Sequence, residues 1–238
     1  MPLQAHERSG MLRRVESDPN ITPLARATAY MTPSKIRSFY NVGNAQGSAL
    51  STQAIFATIQ QYFSPSDLTL FQQYAGLPAQ VIANEIGGQV SDFICYFLPD
   101  WCAEANLDVQ YITATSPISP TTYWYTDDSW GPWLVTVANT PNPPLVFSIS
   151  YVQEEIYVSS AEKDAFSTQA IKLGAMGVTI FAASGDDGAI SRAARTDGVL
   201  GCTYAPLFPA SSPYVTAVGA TSVSECSKSN CNQHDEMS

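Results

Sequence analysis

Two carboxylates one helical turn apart are the first candidates for chemistry in this chain. Glu104 and Asp108 lie in CAEANLDVQYI (102–112), a stretch whose pattern indicates a helix. At about 100° per residue they share one side of that helix, whereas Asn106 and Gln110 fall on the opposite side, as solvent-facing residues would. Apolar residues flank the acids on both sides, with Ala105, Val109 and Ile112 on one and Leu107 and Tyr111 on the other. The pattern therefore predicts two acids in the middle of an apolar face.

Such a placement is unfavourable for a structural helix. Two like charges four residues apart destabilise a helix by about 0.2–0.5 kcal/mol even in water, and burial disfavours ionised carboxylates further. Because burial moves carboxyl pKa values upward, pairs of this kind are used in acid–base catalysis. The alternative is an ordinary acidic surface helix whose buried side differs from the one predicted.

The composition is that of a folded chain. Its 238 residues can bury a full core, and 45% apolar against 13% charged residues is typical of globular proteins. No apolar run approaches the roughly 20 residues of a membrane span, so none is expected. The start, MPLQAHERSGMLRR, lacks the apolar core of a signal peptide, which indicates either a cytosolic chain or a missing true start.

Charge is unevenly distributed along the sequence. Residues 38–162 contain eleven Asp and Glu and no Lys or Arg, while the first 37 residues hold six of the eleven basic residues. The middle block would repel itself at neutral pH and relax as its carboxylates are protonated, which suits an acidic medium; simple solubility is the alternative. Nucleic acid is not an expected partner, because phosphate binding needs a basic patch.

The cysteines predict short disulfides. Cys95 and Cys102 flank a loop that contains a proline, and Cys226 and Cys231 bracket a polar loop. Cys202 is left without an obvious mate. Since no pair has CxxC spacing and both histidines lie near the termini, a zinc site is not expected.

The first half of the chain shows three further patterns. STQAIFATIQQYFSPSDLTLFQQYAG (51–76) has helical periodicity interrupted at Pro65, with a serine on each side as a candidate cap. AQVIANEI (79–86) is typical of a strand. The aromatic stretch TTYWYTDDSWGPW (121–133) either lines a groove or packs in a core.

The clearest architecture lies in residues 145–184. LVFSISY (145–151) and VTIFAAS (178–184) have the apolar runs of buried strands, and the segment between them predicts a helix opened by a capping box from Ser159 to Glu162. A strand, a helix and a strand within forty residues indicate a right-handed βαβ unit. The fold class predicted is therefore α/β, with a parallel sheet covered by helices on both faces.

A second acidic motif follows the later strand directly. Gly185-Asp186-Asp187-Gly188 stands where the chain leaves the sheet, and sites in open α/β folds lie beyond the carboxyl ends of strands. Glycine lets the backbone turn sharply, so that a carboxylate emerges at the strand tip. Alone the motif is weak, because Asp and Gly are common in turns.

Together with its surroundings this motif resembles the sedolisins, the serine-carboxyl peptidases. The matching segments are EANLDVQYI (104–112), ASGDDGA (183–189) and FPASSPYVTAVGATS (208–222), with weaker support from MTPSKIRSFYNV (31–42) and QQYFSPSDL (60–68). The resemblance implies a subtilisin-like fold, incomplete at the C-terminus. It also implies that residues 1–30 are a leader or propeptide remnant and residues 31–238 a partial peptidase domain.

Catalytic roles follow from the resemblance residue by residue. Glu104 would be the general base for a serine nucleophile, Asp108 would hydrogen-bond and tune it, and Asp186 would donate a proton to the oxyanion. The chemistry is consistent, because a carboxylate base works in acid, where histidine is protonated, and a neutral carboxylic acid can donate a hydrogen bond.

The resemblance also implies a substrate-binding set. Ser150, Tyr151 and Val152 would run beside the bound peptide, with Ser184 and Gly185 near the reacting bond. The family usually has glycine where this chain has Val152, and a β-branched side chain there would narrow or block the specificity pocket.

Two elements of the family pattern are missing from the sequence. The nucleophile motif Gly-Thr-Ser-Ala-Ser does not occur, and Ser222 in the similar GATSVS (219–224) belongs to a strand segment that the family carries in addition. The family's calcium ligands would lie beyond residue 238, so no metal is expected in this chain.

Two functions are therefore open. The first is a peptidase active at acidic pH on peptide or protein substrates, as a tripeptidyl peptidase or an endopeptidase, in an extracellular or lysosome- or vacuole-like compartment. The second is a non-catalytic binding or regulatory module that retains the peptidase fold.

Overall fold

A computed structural model describes residues 31–188 and 204–221 and the backbone of residues 236–237. The chain divides into two compact units, an N-terminal unit up to Asp127 and a C-terminal unit from Asp128. The predicted leader (1–30), Cys202, Ser222 and the Cys226–Cys231 disulfide lie outside the described residues.

The N-terminal unit is built on parallel strands. In chain order its elements are α1 (Pro33–Phe39), β1 (Gln53–Ala57), α2 (Pro65–Ala75), β2 (Asn84–Ile86), α3 (Asp92–Phe97), a 3₁₀ turn (Pro99–Trp101), α4 (Ala103–Thr115) and β3 (Thr121–Tyr125). The strands lie in the order β2–β3–β1, with Tyr123 beside Ile55 on one side and Glu85 on the other. Every residue of β1 and β3 is buried, as expected of strands covered on both faces.

The predicted helix at 51–76 is wrong in its first half and right in its second. Residues 53–57 form β1, because a short, wholly buried apolar run satisfies the periodicity of either element. α2 begins as predicted, with Pro65 in its first turn and the Ser64 hydroxyl accepting a hydrogen bond from the Asp67 N–H at 3.0 Å. The strand predicted over 79–86 is confined to β2.

Buried residues of the strands and helices form a hydrophobic cluster in this unit. It contains Ile55, Ala57, Phe63, Leu68, Ile82, Ala105, Val109, Tyr123 and Tyr125. Helix α4, which carries the candidate acids, supplies Ala105 and Val109, both fully buried. Packing of these small side chains brings α4 close to the strands.

The C-terminal unit contains the predicted βαβ unit. Its elements are α5 (Trp130–Asn139), β4 (Val146–Ile149), β5 (Gln153–Glu154), a 3₁₀ turn (Glu155–Tyr157), α6 (Ser160–Ala175), β6 (Thr179–Ala183), β7 (Leu207–Phe208), β8 (Thr216–Val218), β9 (Ala220–Thr221) and β10 (Glu236–Met237). Strands β4, β6 and β8 pair in parallel, which confirms the predicted α/β class. The short pairs β5–β7 and β9–β10 are antiparallel.

Aromatic residues pack the interior of this unit. Trp130 and Phe166 both meet Phe208 edge-on, at ring separations of 5.6 and 5.1 Å, and Trp133 meets Phe147 at 5.4 Å. In the stretch 121–133 all the aromatic side chains are buried. Of the two interpretations of that stretch, the core is therefore the correct one.

Candidate active site

The buried side of α4 differs from the predicted one. Ala105 and Val109 are buried as expected, but on the second apolar flank Leu107 is 42% exposed and Tyr111 is half-buried, with its ring 5.3 Å from that of Phe71. Asn106, predicted to face solvent, is half-buried and accepts a hydrogen bond from the Ser64 N–H at 2.8 Å. Its amide also donates to the Asp67 carboxylate at 2.9 Å. The helix is thus rotated by roughly a third of a turn, because an amide is used to join α4 to the start of α2.

This rotation places the acids at the edge of the buried face and not at its centre. Glu104 and Asp108 are both half-buried, and the Oδ2 oxygen of Asp108 is fully buried. Tyr123, on β3, is close enough that Asp108 acts on it: burial raises the pKa of the Tyr123 hydroxyl, and the Asp108 charge raises it further. At least one oxygen of this pair, Oδ2 of Asp108, therefore lies in the protein interior.

Both ends of α4 are tied to other elements. At its start, the Glu104 N–H donates to the side-chain oxygen of Gln61 at 3.2 Å, and Gln61 follows β1. At its end, the Arg37 guanidinium of α1 donates to the carbonyl of Thr115 at 3.1 Å, a favourable position for a cation. A helix fixed at both ends holds its side chains in constant directions.

A disulfide adds a covalent restraint directly before α4. Cys95, in α3, is bonded to Cys102, the residue that precedes the first turn of α4, which confirms the predicted pairing. The bond closes a loop that contains the rest of α3 and the 3₁₀ turn. Glu104 lies two residues beyond the crosslink, so its turn is held both covalently and by hydrogen bonding.

The second acid lies in the C-terminal unit, where the chain leaves β6. Asp186 is exposed and follows Gly185, whose φ of +98° is a conformation that other residues rarely adopt. A Cβ atom at position 185 would collide with the side chain of Leu207. The turn thus needs glycine for two reasons, and it presents Asp186 at the strand tip as predicted.

The predicted substrate-binding residues lie at the same edge of this unit. Ser150, Tyr151 and Val152 follow β4, and Ser184 and Gly185 follow β6; the two strands are parallel neighbours, with Ile149 beside Ala182. Tyr151 is 7% exposed with its hydroxyl buried, whereas Ser150 and Val152 are half-buried. The Ser184 N–H donates to the carbonyl of Val218 at the end of β8, at 3.0 Å. The carboxyl ends of three strands therefore meet here.

The structure groups the predicted residues into two sets. Glu104 and Asp108 lie on one helix of the N-terminal unit. The residues after β4 and β6 lie together at the carboxyl ends of these neighbouring strands in the C-terminal unit. Sequence reasoning missed Gln61. No composition signal marks it, although its place after a strand end is where sites occur in α/β folds.

Metal ligands and membrane spans are not found in the described parts of the chain. Over residues 31–188 and 204–221, no three acidic, cysteine or histidine side chains are grouped so as to hold a metal ion. The calcium that the family resemblance implies enters no step proposed below. No helix of the described chain is both long and apolar enough to cross a membrane.

Comparison with known proteins gives close agreement on one family. No family model matches the sequence. The chain is 35% identical over 204 residues to Tripeptidyl-peptidase 1 of Dictyostelium discoideum, covering 80% of this chain and 31% of that protein. It is 32% identical over 235 residues to Tripeptidyl-peptidase 1 of Homo sapiens, covering 89% of this chain and 38% of that protein. The chain thus spans about a third of the length of these relatives.

A solved structure shows the same fold. Pseudomonas sedolisin, a serine-carboxyl proteinase solved with two molecules of pseudo-iodotyrostatin, aligns with a TM-score of 0.59 at 21% identity. The alignment covers 80% of this chain and 53% of sedolisin. The parallel strands, the sequence relatives and the acid-bearing helix agree, and this chain belongs to the sedolisin family of serine-carboxyl peptidases.

Proposed function

We propose that these 238 residues are the acid-bearing part of a serine-carboxyl peptidase that hydrolyses peptide bonds at acidic pH. The observation that carries the proposal is the Glu104–Asp108 pair, one turn apart at the edge of the buried face of α4, on a helix fixed at both ends. A rigid pair of half-buried acids is costly to maintain in a structural helix and useful in a catalytic one.

Glu104 acts as the general base in this proposal. Its carboxylate takes the proton of a serine hydroxyl as the oxygen attacks the peptide carbonyl, and returns it to the leaving amine. Asp108 hydrogen-bonds the base and sets its proton affinity. The buried Oδ2 oxygen of Asp108 is compatible with this role, because paired carboxyls acquire different roles when their environments differ.

Asp186 supplies the oxyanion donor. A carboxylic acid at a strand tip, kept neutral by an acidic medium, donates a hydrogen bond to the negative oxygen of the tetrahedral intermediate. Activity would then be confined to acidic conditions, such as those outside the cell or in a lysosome- or vacuole-like compartment.

The substrate in this proposal is a peptide that lies at the carboxyl ends of β4 and β6 in the C-terminal unit. The backbone of Ser150, Tyr151 and Val152 would run beside it, and Ser184 with Gly185 would lie next to the reacting bond. The half-buried Val152 side chain makes that groove narrower than glycine would, which favours small side chains in the substrate. Tripeptidyl peptidase and endopeptidase activity both fit this arrangement.

The 238 residues should hydrolyse no peptide by themselves. They contain no Gly-Thr-Ser-Ala-Ser motif, and a base with nothing to deprotonate forms no acyl-enzyme. Incubation with an unblocked tripeptide amide over the acidic range is the test. Turnover that disappears in Ser222→Ala would show that Ser222 is the nucleophile after all.

The competing function is a non-catalytic binding or regulatory module. Val152 and the lack of the nucleophile motif in these residues favour it. Sequencing the transcript past the codon for residue 238 discriminates between the two, because the peptidase proposal requires a Gly-Thr-Ser-Ala-Ser stretch downstream. An early stop codon without that stretch would support the module.

A further inference from the structure

Gln61 joins three elements around the candidate base. It is 6% exposed and lies after the end of β1. Its side-chain oxygen accepts the Glu104 N–H at 3.2 Å, and its amide donates to the carbonyl of Asp100 at 3.3 Å. Its main-chain carbonyl accepts the Tyr123 hydroxyl at 2.7 Å. Both ends of its side-chain amide and its main-chain carbonyl are therefore hydrogen-bonded.

Helix α4 lacks the cap that most helices have. Cys102, the residue before its first turn, makes no side-chain capping hydrogen bond, because its sulfur is in the disulfide. The first N–H groups of a helix have no partner within it, and leaving them unsatisfied is costly. Gln61 supplies that acceptor from a different element, and the N–H it binds is that of Glu104 itself.

The backbone before Gln61 is strained so as to deliver it. Ile59 and Gln60 have φ values of +56° and +57°, a region that costs about 1–3 kcal/mol for residues other than glycine, and most for β-branched ones. The Gln60 N–H donates to the Tyr125 hydroxyl at 3.1 Å, and the Tyr62 N–H donates to the carbonyl of Trp101 at 2.8 Å. These two flanking hydrogen bonds hold the strained turn, so that the Gln61 side chain reaches the first turn of α4.

Tyr123 extends the connection to the second acid. Its hydroxyl donates to Gln61, and its ring is close enough to Asp108 to sense that charge. Gln61 is therefore hydrogen-bonded directly to the turn that carries Glu104. It is connected to Asp108 only through Tyr123.

We propose that Gln61 is a positioning residue: it fixes the first turn of α4, and with it the direction of the Glu104 side chain relative to Asp108. This positioning role rests on the function proposed above, whereas the hydrogen bond between Gln61 and the Glu104 N–H does not. Gln61 touches no reacting atom in this proposal and acts through the backbone of the base.

The chain offers a matched control in Gln72. It is 4% exposed, its amide donates to the carbonyl of Gln80 at 3.1 Å, and its oxygen accepts the Gln80 N–H at 3.0 Å. Gln61→Met and Gln72→Met each remove a buried two-ended amide from the same unit and should lower stability alike. Only Gln61→Met should remove the hydrogen bond to the Glu104 N–H.

Amide hydrogen exchange on the 238-residue chain measures that release. We expect Gln61→Met to lower the protection of the Glu104 amide by about tenfold more than Gln72→Met does. The NMR titration midpoint of the Glu104 carboxyl should move in Gln61→Met and stay in Gln72→Met. Equal effects of the two variants on Glu104 would overturn the proposal.

Gln61→Glu tests the same point within one protein. A protonated glutamic acid has the shape of glutamine, so it can accept from Glu104 and donate to Asp100; an ionised one cannot donate. Because both forms can accept from the Glu104 N–H, protection of the Glu104 amide in Gln61→Glu should match wild type near about pH 4 and stay at that level or rise near about pH 7, where the acceptor is charged. Protection of the Glu104 amide in this variant that falls well below wild type near about pH 4, where its side chain is neutral, would contradict the proposal, and this arm remains usable if Gln61→Met does not fold.

None of these readouts needs catalysis. In a longer chain that contains these residues and cleaves peptides, Gln61→Met should lower kcat with little change in KM, because it misplaces the base and leaves the peptide groove intact. If no longer chain is active, the proposed function fails while the exchange result stands. If activity is present and kcat is unchanged, the positioning role is wrong while the function stands.

Discussion

The carboxylate of Glu162, in α6, accepts a hydrogen bond from the Gly131 N–H at 2.7 Å and so caps the start of α5. Its second oxygen accepts from the Ser129 hydroxyl at 3.0 Å. The capping box predicted from sequence is therefore only half formed: Ser159 accepts from the Glu162 N–H at 3.2 Å, but the glutamate side chain serves another helix. Glu162 thus lies in the first turn of α6 and caps α5, a cap in which both helices take part.

Removing that shared cap should destabilise the protein. We expect Glu162→Ala to lower the free energy of unfolding by about 1.5–3 kcal/mol, since it removes hydrogen bonds to a charged acceptor and leaves a half-buried N–H unsatisfied. Urea unfolding at neutral pH measures the loss. Asp164→Ala, an exposed acid on the same helix, is the control and should change stability little. Equal losses in the two variants would show that helix charge, and not the cap, is responsible.

Asp92 should stabilise the fold at neutral and mildly acidic pH and lose that contribution in stronger acid. Hydrogen bonds from the Ser66 N–H at 3.0 Å, the Ser64 hydroxyl at 2.7 Å and the Ser66 hydroxyl at 2.9 Å hold its pKa below the usual 3.8. Because the folded pKa is lower than the unfolded one, the contribution is complete above about pH 3.8 and is lost as the pH falls through the folded value.

The variant Asp92→Asn cannot titrate at this position. We expect it to be less stable than wild type near about pH 5 and to lose less stability than wild type between about pH 4 and pH 2. Urea midpoints across that range provide the measurement, with Asp100→Asn as a control on the next turn. Parallel curves for wild type and Asp92→Asn would rule out the linkage.

Asp186 can be tested in any longer chain that contains these residues and cleaves peptides. If it donates to the oxyanion as a neutral acid, Asp186→Ala should lose about 100- to 1,000-fold in kcat. Asp186→Asn supplies an amide donor at every pH, so it should retain more activity than the alanine variant and lose less of it as the pH rises.

The bland alternative for Asp186 is a turn residue. Asparagine is also a good turn residue, so in that case Asp186→Asn should follow wild type at every pH. Profiles of kcat/KM from about pH 3 to pH 7 separate the two. Coincident wild-type and asparagine profiles, or an alanine variant within a few-fold of wild type, would exclude the oxyanion role.

Local signals predicted the parts of the fold that depend on local physics. The βαβ unit, the cap at Ser64 and the Cys95–Cys102 disulfide each follow from a few neighbouring residues, and each is confirmed. The turn at Gly185 was predicted for the same reason, because its backbone conformation needs glycine.

The errors concern residues whose partners are distant in sequence. Asn106 was assigned to solvent because nothing near it shows that α2 would need its amide, 42 residues away. Gln61 was missed because its value depends on an N–H that lies 43 residues later. β1 was taken for a helix because burial on both faces removes the alternation that identifies a strand. Tertiary contacts, and not propensity, decide such positions.

The crosslink between Cys95 and Cys102 makes the acid-bearing helix dependent on where the chain folds. In the cytosol glutathione keeps such thiols reduced, whereas secretory compartments oxidise them to a disulfide. With free thiols, the segment of α3 and the 3₁₀ turn would no longer be covalently bonded to the residue before α4, and the first turn would depend on hydrogen bonds such as those of Gln61 and Asn106. Protein produced in the bacterial cytosol and protein produced by secretion should therefore differ in the order of that turn, even though their sequences are identical.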